Sequence, residues 1–177
     1  MILREITVKG VKCFRNKITV GRFDAGLNMI FGPNETGKSS LIEATARALF
    51  DRHSTGGEEI ENLRPWGTSL SPEIALEFEA KDDEWRLEKH LLSSPSCSLQ
   101  RRENGSWSLV HERDAADDFI RELLHGDVPG RGATDLRHWG LARTLWCLRD
   151  PSMLGRADDA SCVVPAAVAS QLQTVLG

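Results

Sequence analysis

The sequence of 177 residues lacks long apolar runs, and no hydrophobic stretch approaches the roughly 20 residues that a membrane span needs. Residues 1–5 also lack the basic region and long apolar segment with which a signal peptide begins. We therefore expect no membrane partner and a cytoplasmic location. Hydrophobic residues at 40% and charged residues at 27% are instead typical of a globular protein with one well-buried core.

Cysteine is scarce and scattered. The sequence has four cysteines, and no two of them form a Cys-x-x-Cys pair. This pattern argues against a disulfide framework and against a cysteine metal site. The five histidines are also isolated from cysteines and carboxylates at ligand spacing, so we predict no histidine metal site. The cysteines are Cys13, Cys97, Cys147 and Cys162.

Positive charge is in the minority, since 22 Lys and Arg against 26 Asp and Glu give a net charge of −4. That balance argues against a strong nucleic-acid binder. Residues 1–22 are an exception, because they contain six basic residues and the single acid Glu5. Two interpretations of this segment stay open: an anion-facing patch, or an ordinary strand edge protected by lysines.

One motif carries recognisable chemistry. Residues 32–40 match the phosphate-binding loop, or P-loop, in which four residues separate a glycine from Gly-Lys-Ser/Thr. Its backbone N–H groups converge on phosphate oxygens, and the following helix directs its positive end at the same anion. We expect Lys38 to neutralise the β- and γ-phosphates and the Ser39 hydroxyl to bind Mg²⁺. The candidate nucleotide-binding residues are Gly32, Pro33, Asn34, Glu35, Thr36, Gly37, Lys38, Ser39 and Ser40.

The flanks of the P-loop support this interpretation. Residues 27–31 are apolar at four of five positions and predict a buried strand leading into the loop. After the loop, apolar side chains recur at helical spacing from Leu41 to Leu49 and predict a helix. Strand, loop and helix therefore follow one another in the order that the motif requires.

The clearest β region is an antiparallel meander predicted over residues 73–111. Ile74, Leu76 and Phe78 alternate with glutamates, as in a half-buried strand. Asn104-Gly105 is a strong hairpin signal. We expect the tryptophans of this region to anchor the core.

Other elements are predicted from weaker patterns. Strands are expected at 2–11, 18–20 and 141–148, and helices at 114–125 and 164–176. Residues 51–72 show no sustained period and predict a loop. In that loop Arg64 either reaches a bound nucleotide or packs on Trp66 at the surface.

A P-loop after two leading strands, followed by an antiparallel meander, resembles the N-terminal lobe of an ABC-type head in the SMC-like ATPases. This group includes the chromosome-maintenance SMC proteins and the bacterial repair proteins SbcC, RecF and RecN. The resemblance is carried by Phe14-Arg15, by Gly26-Leu27-Asn28 and by residues 32–44, and it is greatest to the SbcC-like branch at the Asn-Glu pair.

The resemblance implies an α/β fold, that of a P-loop NTPase of ABC-ATPase type. Its N-terminal lobe would hold a mixed sheet and the meander over residues 1–162, and residues 163–177 would begin a coiled-coil helix. It also implies ATP and Mg²⁺ as cofactors and a nucleotide contact from Arg15.

Partners are implied in the same way. In this family a C-terminal lobe carries the signature motif, the acidic Walker B strand and a switch histidine, and two heads close on ATP. The resemblance therefore implies that hydrolysis needs that lobe and a second head in a homodimer. DNA and a nuclease subunit are further expected partners, in DNA repair or chromosome maintenance.

Two other functions stay open. A self-contained P-loop kinase or GTPase would need an acid for Mg²⁺ after an apolar strand, and Asp150 is the candidate, although Arg149 interrupts the approach to it. A guanine motif is missing, because the Asn-Lys at residues 16–17 is followed at residue 19 by Thr and not by Asp. The third interpretation is a truncated, non-catalytic nucleotide-binding module.

Arg149 stands where the resemblance places the glutamine that completes the Mg²⁺ shell. A guanidinium has donors and no acceptor, so it cannot ligate the metal, and repulsion directs it toward the γ-phosphate. We expect this to tighten ATP binding and slow hydrolysis. In an assembled two-lobe head, Arg149→Gln should therefore raise the turnover rate and weaken ATP affinity, both measured on the same preparation. No change in either quantity would place Arg149 outside the site.

Overall fold

The fold is a six-stranded sheet with three helices, which the computed structural model describes over residues 1–124. Arg149 and the segments predicted at 141–148 and 163–177 lie outside the described residues. The strands are β1 (Ile2–Lys9), β2 (Ile18–Gly21), β3 (Glu73–Ala80), β4 (Asp83–His90), β5 (Ser96–Glu103) and β6 (Ser106–Glu112). The helices are α1 (Lys38–Phe50), α2 (Glu58–Glu61) and α3 (Asp114–Leu123).

The strands lie in the order β2-β1-β3-β4-β5-β6, and each neighbouring pair is antiparallel. Strands β3 to β6 form the predicted meander in chain order. Asn104 and Gly105 connect β5 to β6 with φ angles of 51° and 84°. Two successive left-handed residues are what a tight type I′ hairpin requires, so the turn signal in the sequence is confirmed.

The buried side of the sheet positions α1. Ile74, Leu76 and Phe78 of β3 are at most 2% exposed. Helix α1 packs against β1 and β3 through one buried stripe, which comprises Leu41, Ala44, Thr45, Ala48 and Leu49. Each fully buried Leu, Ile or Phe contributes about 1.5–3 kcal/mol. The core therefore fixes the helix that the P-loop opens.

The strand predicted over residues 27–31 is not formed, and this expectation is wrong. Leu27, Met29 and Phe31 are 96%, 78% and 87% exposed, in a segment without regular structure. A strand needs a neighbour for its backbone hydrogen bonds, and no strand within residues 1–124 pairs with this segment. Asn28 instead closes a local turn, since its Nδ2 donates to the Asp24 carbonyl at 2.8 Å.

Two further expectations needed correction. Residues 51–72 contain the short helix α2, which the lack of a sustained hydrophobic period had hidden.

Trp85 is a core anchor at 5% exposure, but Trp107 is not, because its ring lies 5.8 Å from the guanidinium carbons of both Arg86 and Arg102. Trp107 therefore makes cation–π contacts at the surface of the sheet.

The chain divides into two compact units, Met1–Asp117 and Asp118–Gly177. Of the second unit the structure describes residues 118–124, so the domain boundary expected after residue 162 stays a prediction.

Within the described part of the chain, no helix has the length and apolar character that crossing a membrane requires.

A buried ammonium group connects β4 to the chain on either side of the meander. Lys89 is 1% exposed, lies 2.7 Å from Oδ1 of Asp117, and donates to the carbonyl of Asp51 at 2.6 Å. The backbone N–H of His53 donates to Asp117 Oδ2 at 2.9 Å, and His53 Nδ1 lies 2.6 Å from the same oxygen. Buried charges are costly to desolvate, so each member of this cluster depends on its partners.

The pKa of Asp117 shows which contacts dominate. Burial acts to raise the pKa of this carboxyl, but the Lys89 ammonium and the His53 hydrogen bonds bring it below its ordinary value. A group whose folded pKa is lowered contributes stability that is present above its unfolded pKa and lost as the pH falls through the folded pKa. The contribution of Asp117 is therefore complete at neutral pH and is lost on acidification below about pH 4.

Lys89→Met keeps the length of the side chain but leaves the Asp117 carboxylate buried without its cation. We expect the free energy of unfolding at pH 7, measured by urea denaturation, to fall by about 3–5 kcal/mol. The loss should shrink as the pH is lowered and Asp117 becomes protonated.

Lys9→Met is the matched control, because Lys9 pairs with Glu73 at 2.8 Å while the two side chains are 44% and 38% exposed. Removing a partly exposed pair of this kind should cost at most about 1 kcal/mol. Equal losses in the two variants would contradict the structural role assigned to Lys89.

Candidate functional site

The loop part of the P-loop motif, residues 32–37, leads directly into α1, whose first residue is Lys38. Glu35 and Gly37 have φ angles of 63° and 91°, so two residues of the loop adopt the left-handed conformation before the helix begins. No side chain caps the helix. Its first backbone N–H groups therefore remain available to an anion, at the end of α1 where the helix dipole is positive.

Gly37 is required by its surroundings as well as by its φ angle. A Cβ atom at this position would lie 2.3 Å from Cζ of Phe14 and 2.4 Å from Sγ of Cys13. Such distances are far inside van der Waals contact, so no larger residue fits without displacing its neighbours. The close approach places the turn after β1 against the end of the P-loop.

Lys38 reaches back across the P-loop. Its Nζ donates to the carbonyl oxygens of Gly32 at 2.9 Å and of Pro33 at 2.6 Å, while Thr36 Oγ1 donates to Pro33 at 2.9 Å. A phosphate is a stronger partner for an ammonium group than two neutral carbonyls. Ser39 is exposed in the first turn of α1. An uncapped helix start, a lysine ammonium and an exposed hydroxyl form a set of groups that fits a phosphate chain and Mg²⁺.

Arg15 and Arg64 line one groove of about 660 Å³. The Arg15 side chain is exposed, and its Nη2 lies 3.4 Å from the carbonyl of Trp66. Arg64 instead holds its own loop, since Nε donates to Glu61 at 2.6 Å and Nη1 donates to the Ser69 carbonyl at 2.7 Å. The structure thus brings the two predicted arginines together, and the nucleotide contact of each stays a prediction.

The basic residues of 1–22 are partly neutralised. Arg4 pairs with Glu79 through two hydrogen bonds of 2.7 and 2.8 Å, and the bond to Glu79 raises the pKa of Arg4. Two lysines are also paired, Lys9 with Glu73 and Lys12 with Glu43. Acids from β3 and α1 therefore meet half of these basic residues, which favours the protected strand edge over an extended anion-facing patch.

The contact between His53 and Asp117 was missed because the two residues are 64 positions apart. One sign of a buried cluster was present, since Lys89 occupies a core position in the alternation of β4. The ligand atoms of His53, Asp114 and Asp117 lie within 4.8 Å of one another, a spacing that could hold a metal ion. Because the Lys89 ammonium already balances Asp117, we assign this cluster to folding.

Comparison with known proteins gives a family. Residues 5–127 match the family described as an AAA domain. The chain is 30% identical over 114 residues to the DNA double-strand break repair Rad50 ATPase of Pyrococcus abyssi, which covers 62% of this chain and 13% of that protein. It is 34% identical over 71 residues to the chromosome partition protein Smc of Mycolicibacterium paratuberculosis, covering 39% of this chain and 6% of that protein.

Two further matches are a protein with an unrelated name and a solved structure. Urease accessory protein 2 of Cryptococcus neoformans is 32% identical over 80 residues, which is 45% of this chain and 7% of that protein. The SMC head domain from Thermotoga maritima is 29% identical over 61% of this chain and 39% of that chain, with a TM-score of 0.39. The chain thus spans a small fraction of the length of the curated relatives that it matches.

The family match covers more than half of the chain and includes the P-loop, the groove and the meander described above. Both the predicted fold class and the predicted resemblance are confirmed by it and by the Rad50 and Smc relatives. The chain belongs to the AAA domain family, as the N-terminal lobe of an SMC-like ATPase head of ABC type.

Proposed function

We propose that this chain is the ATP- and Mg²⁺-binding N-terminal half of an SMC-like ATPase that acts in DNA repair or chromosome maintenance. The geometry of the P-loop carries the proposal. A helix start without a side-chain cap, a glycine with no space for a Cβ and a lysine that reaches the same loop all converge between residues 32 and 39. The names of the Rad50 and Smc relatives support the assignment to DNA.

Each residue of the site has a defined task in this proposal. The backbone N–H groups at the start of α1 and the Lys38 ammonium hold the phosphates, and Arg15 adds a second cation at the adjacent turn. The Ser39 hydroxyl provides an oxygen ligand for Mg²⁺. When bound, Mg²⁺ neutralises charge on the β- and γ-phosphates.

Hydrolysis in this proposal requires a C-terminal lobe and a second head, in a homodimer that closes on ATP and grips DNA. The exposed apolar segment at 27–31 supports the proposal of a further lobe that would cover it. The segment has the composition of a buried strand, and no strand lies beside it among the described residues. A nuclease subunit and a cytoplasmic location complete the proposal. A non-catalytic nucleotide-binding module is the second candidate, and it is favoured if ATP binds but no added lobe yields turnover.

Lys38→Ala should abolish ATP binding without unfolding the chain. The Lys38 ammonium donates to the loop carbonyls, and Lys38 is not one of the buried residues of α1, so its loss removes a cation and leaves the buried stripe of the helix intact. Calorimetric titration with Mg-ATP measures the affinity, and thermal denaturation of both proteins controls for folding. Equal affinity in wild type and variant would refute the P-loop assignment.

The purified 177-residue chain should show little or no ATPase activity, because the acid that polarises the attacking water belongs to the C-terminal lobe in this family. Activity should appear when such a lobe is fused or supplied in trans, as measured by phosphate release. Robust turnover by the chain alone, abolished by Asp150→Asn, would instead support a self-contained P-loop enzyme.

A further inference from the structure

Glu35 places a carboxylate in the middle of the P-loop. Among residues 32–40 it is the only acid and Lys38 is the only base, so the side chains of this anion-binding segment carry no net charge. Glu35 is exposed, and its side chain forms no ion pair or hydrogen bond with another residue of the described chain. The motif uses the backbone of this residue, which leaves the carboxylate without an assigned task.

The backbone at Glu35 is strained in a way that glycine would avoid. Its φ angle of 63° lies in the left-handed region, where a side chain is costly. Strain of this kind concentrates at functional sites, so the outlier points to a function of the side chain. Helix capping does not account for it, because α1 begins without a side-chain cap and has no acid in its first turn.

The Glu35 carboxylate lies close to the cation that would hold a phosphate. The Pro33 carbonyl accepts hydrogen bonds from Lys38 Nζ at 2.6 Å and from Thr36 Oγ1 at 2.9 Å. The ammonium group therefore lies at the base of a turn that has Glu35 at its tip. The two residue steps from Pro33 to Glu35 span at most about 7 Å, which is less than the screening length of about 8 Å at physiological salt. An anion bound by Lys38 is therefore repelled by this carboxylate.

We propose that Glu35 is a specificity-determining residue, whose carboxylate disfavours metal-free polyphosphates at the P-loop and so selects the Mg²⁺ complex of a nucleoside triphosphate. The inference rests on the proposed function, which it extends to the charge of the ligand. Bound Mg²⁺ cancels about half of the charge of a triphosphate. The repulsion from Glu35 is therefore weaker for Mg-ATP than for free ATP, whereas Lys38 and the backbone N–H groups attract both.

Glu35→Gln removes the charge but keeps the length of the side chain and the same demand on φ. Calorimetric titration of the full 177-residue chain with ATP, in Mg²⁺ or in EDTA, measures the two affinities. The affinity for free ATP should rise roughly tenfold and that for Mg-ATP roughly threefold. Both gains should shrink as salt is added, because the screening length falls to about 3 Å at 1 M. Glu35→Asp keeps the charge and should retain the wild-type ratio of the two affinities.

Glu58→Gln is the matched control for the loss of one negative charge. Glu58 is an exposed acid at the start of α2, and the next residue, Glu59, pairs with Arg47 in the last turn of α1. Arg47 lies about 14 Å along the helix from Lys38. The control therefore removes the same charge from beyond one screening length of the P-loop, and both ATP affinities should stay at their wild-type values.

The outcomes separate the inference from the proposed function. An unchanged ratio of Mg-ATP to free-ATP affinity in Glu35→Gln, with binding still abolished by Lys38→Ala, overturns the inference and leaves the proposed function standing. A gain that salt does not reduce, or that Glu58→Gln reproduces, also overturns the inference, because it would not come from a charge beside the phosphates. If the wild type binds ATP in neither condition, the proposed function fails and the inference fails with it.

Discussion

The close approach of Gly37 to Phe14 and Cys13 is the constraint on which the site depends. There is no space for a Cβ atom between the end of the P-loop and the turn after β1. The glycine therefore determines two things at once, the left-handed turn that opens α1 and the distance between the P-loop and the groove. Both elements would have to move apart if any side chain were added at this position.

Helix α1 is held at both of its ends by contacts outside its own turns. At its start, Gly37 abuts the β1–β2 turn, and at its end, the Asp51 carbonyl accepts a hydrogen bond from the buried Lys89 of β4. Between these points, Ala44 and Ala48 have no exposed surface and allow the helix to lie close to the sheet. The P-loop thus opens a helix that is fixed by contacts at both of its ends, as an anion-binding loop on a fixed scaffold should be.

Local patterns predicted most of the fold, because they depend on neighbours in the chain. The alternation of Ile74, Leu76 and Phe78 requires only one apolar face, and Asn104-Gly105 requires only the φ angles of a tight turn. The prediction of a strand at 27–31 was wrong because an apolar sequence becomes a strand only beside another strand. Pattern alone cannot supply that partner.

The candidate site divides in the same way. The P-loop residues are consecutive, so their spacing revealed them, and Arg15 was implied by the resemblance. The role of Arg64 in closing its own loop depends on the fold of residues 61–69, and the exposure of Trp66 depends on a turn that composition does not specify. His53 and Asp117 meet only after the meander is folded, since four strands, β3 to β6, lie in the 64 residues of sequence that separate them.

The exposed segment before the P-loop has a consequence for the behaviour of the protein in solution. Leu27, Met29 and Phe31 place three large apolar side chains in water on a backbone that has no strand beside it among the described residues. Exposed apolar chain without a neighbouring strand is a template for intermolecular strand addition. At high concentration the isolated chain should therefore self-associate through this segment and lose solubility, and a complementary strand supplied during synthesis should protect it from aggregation.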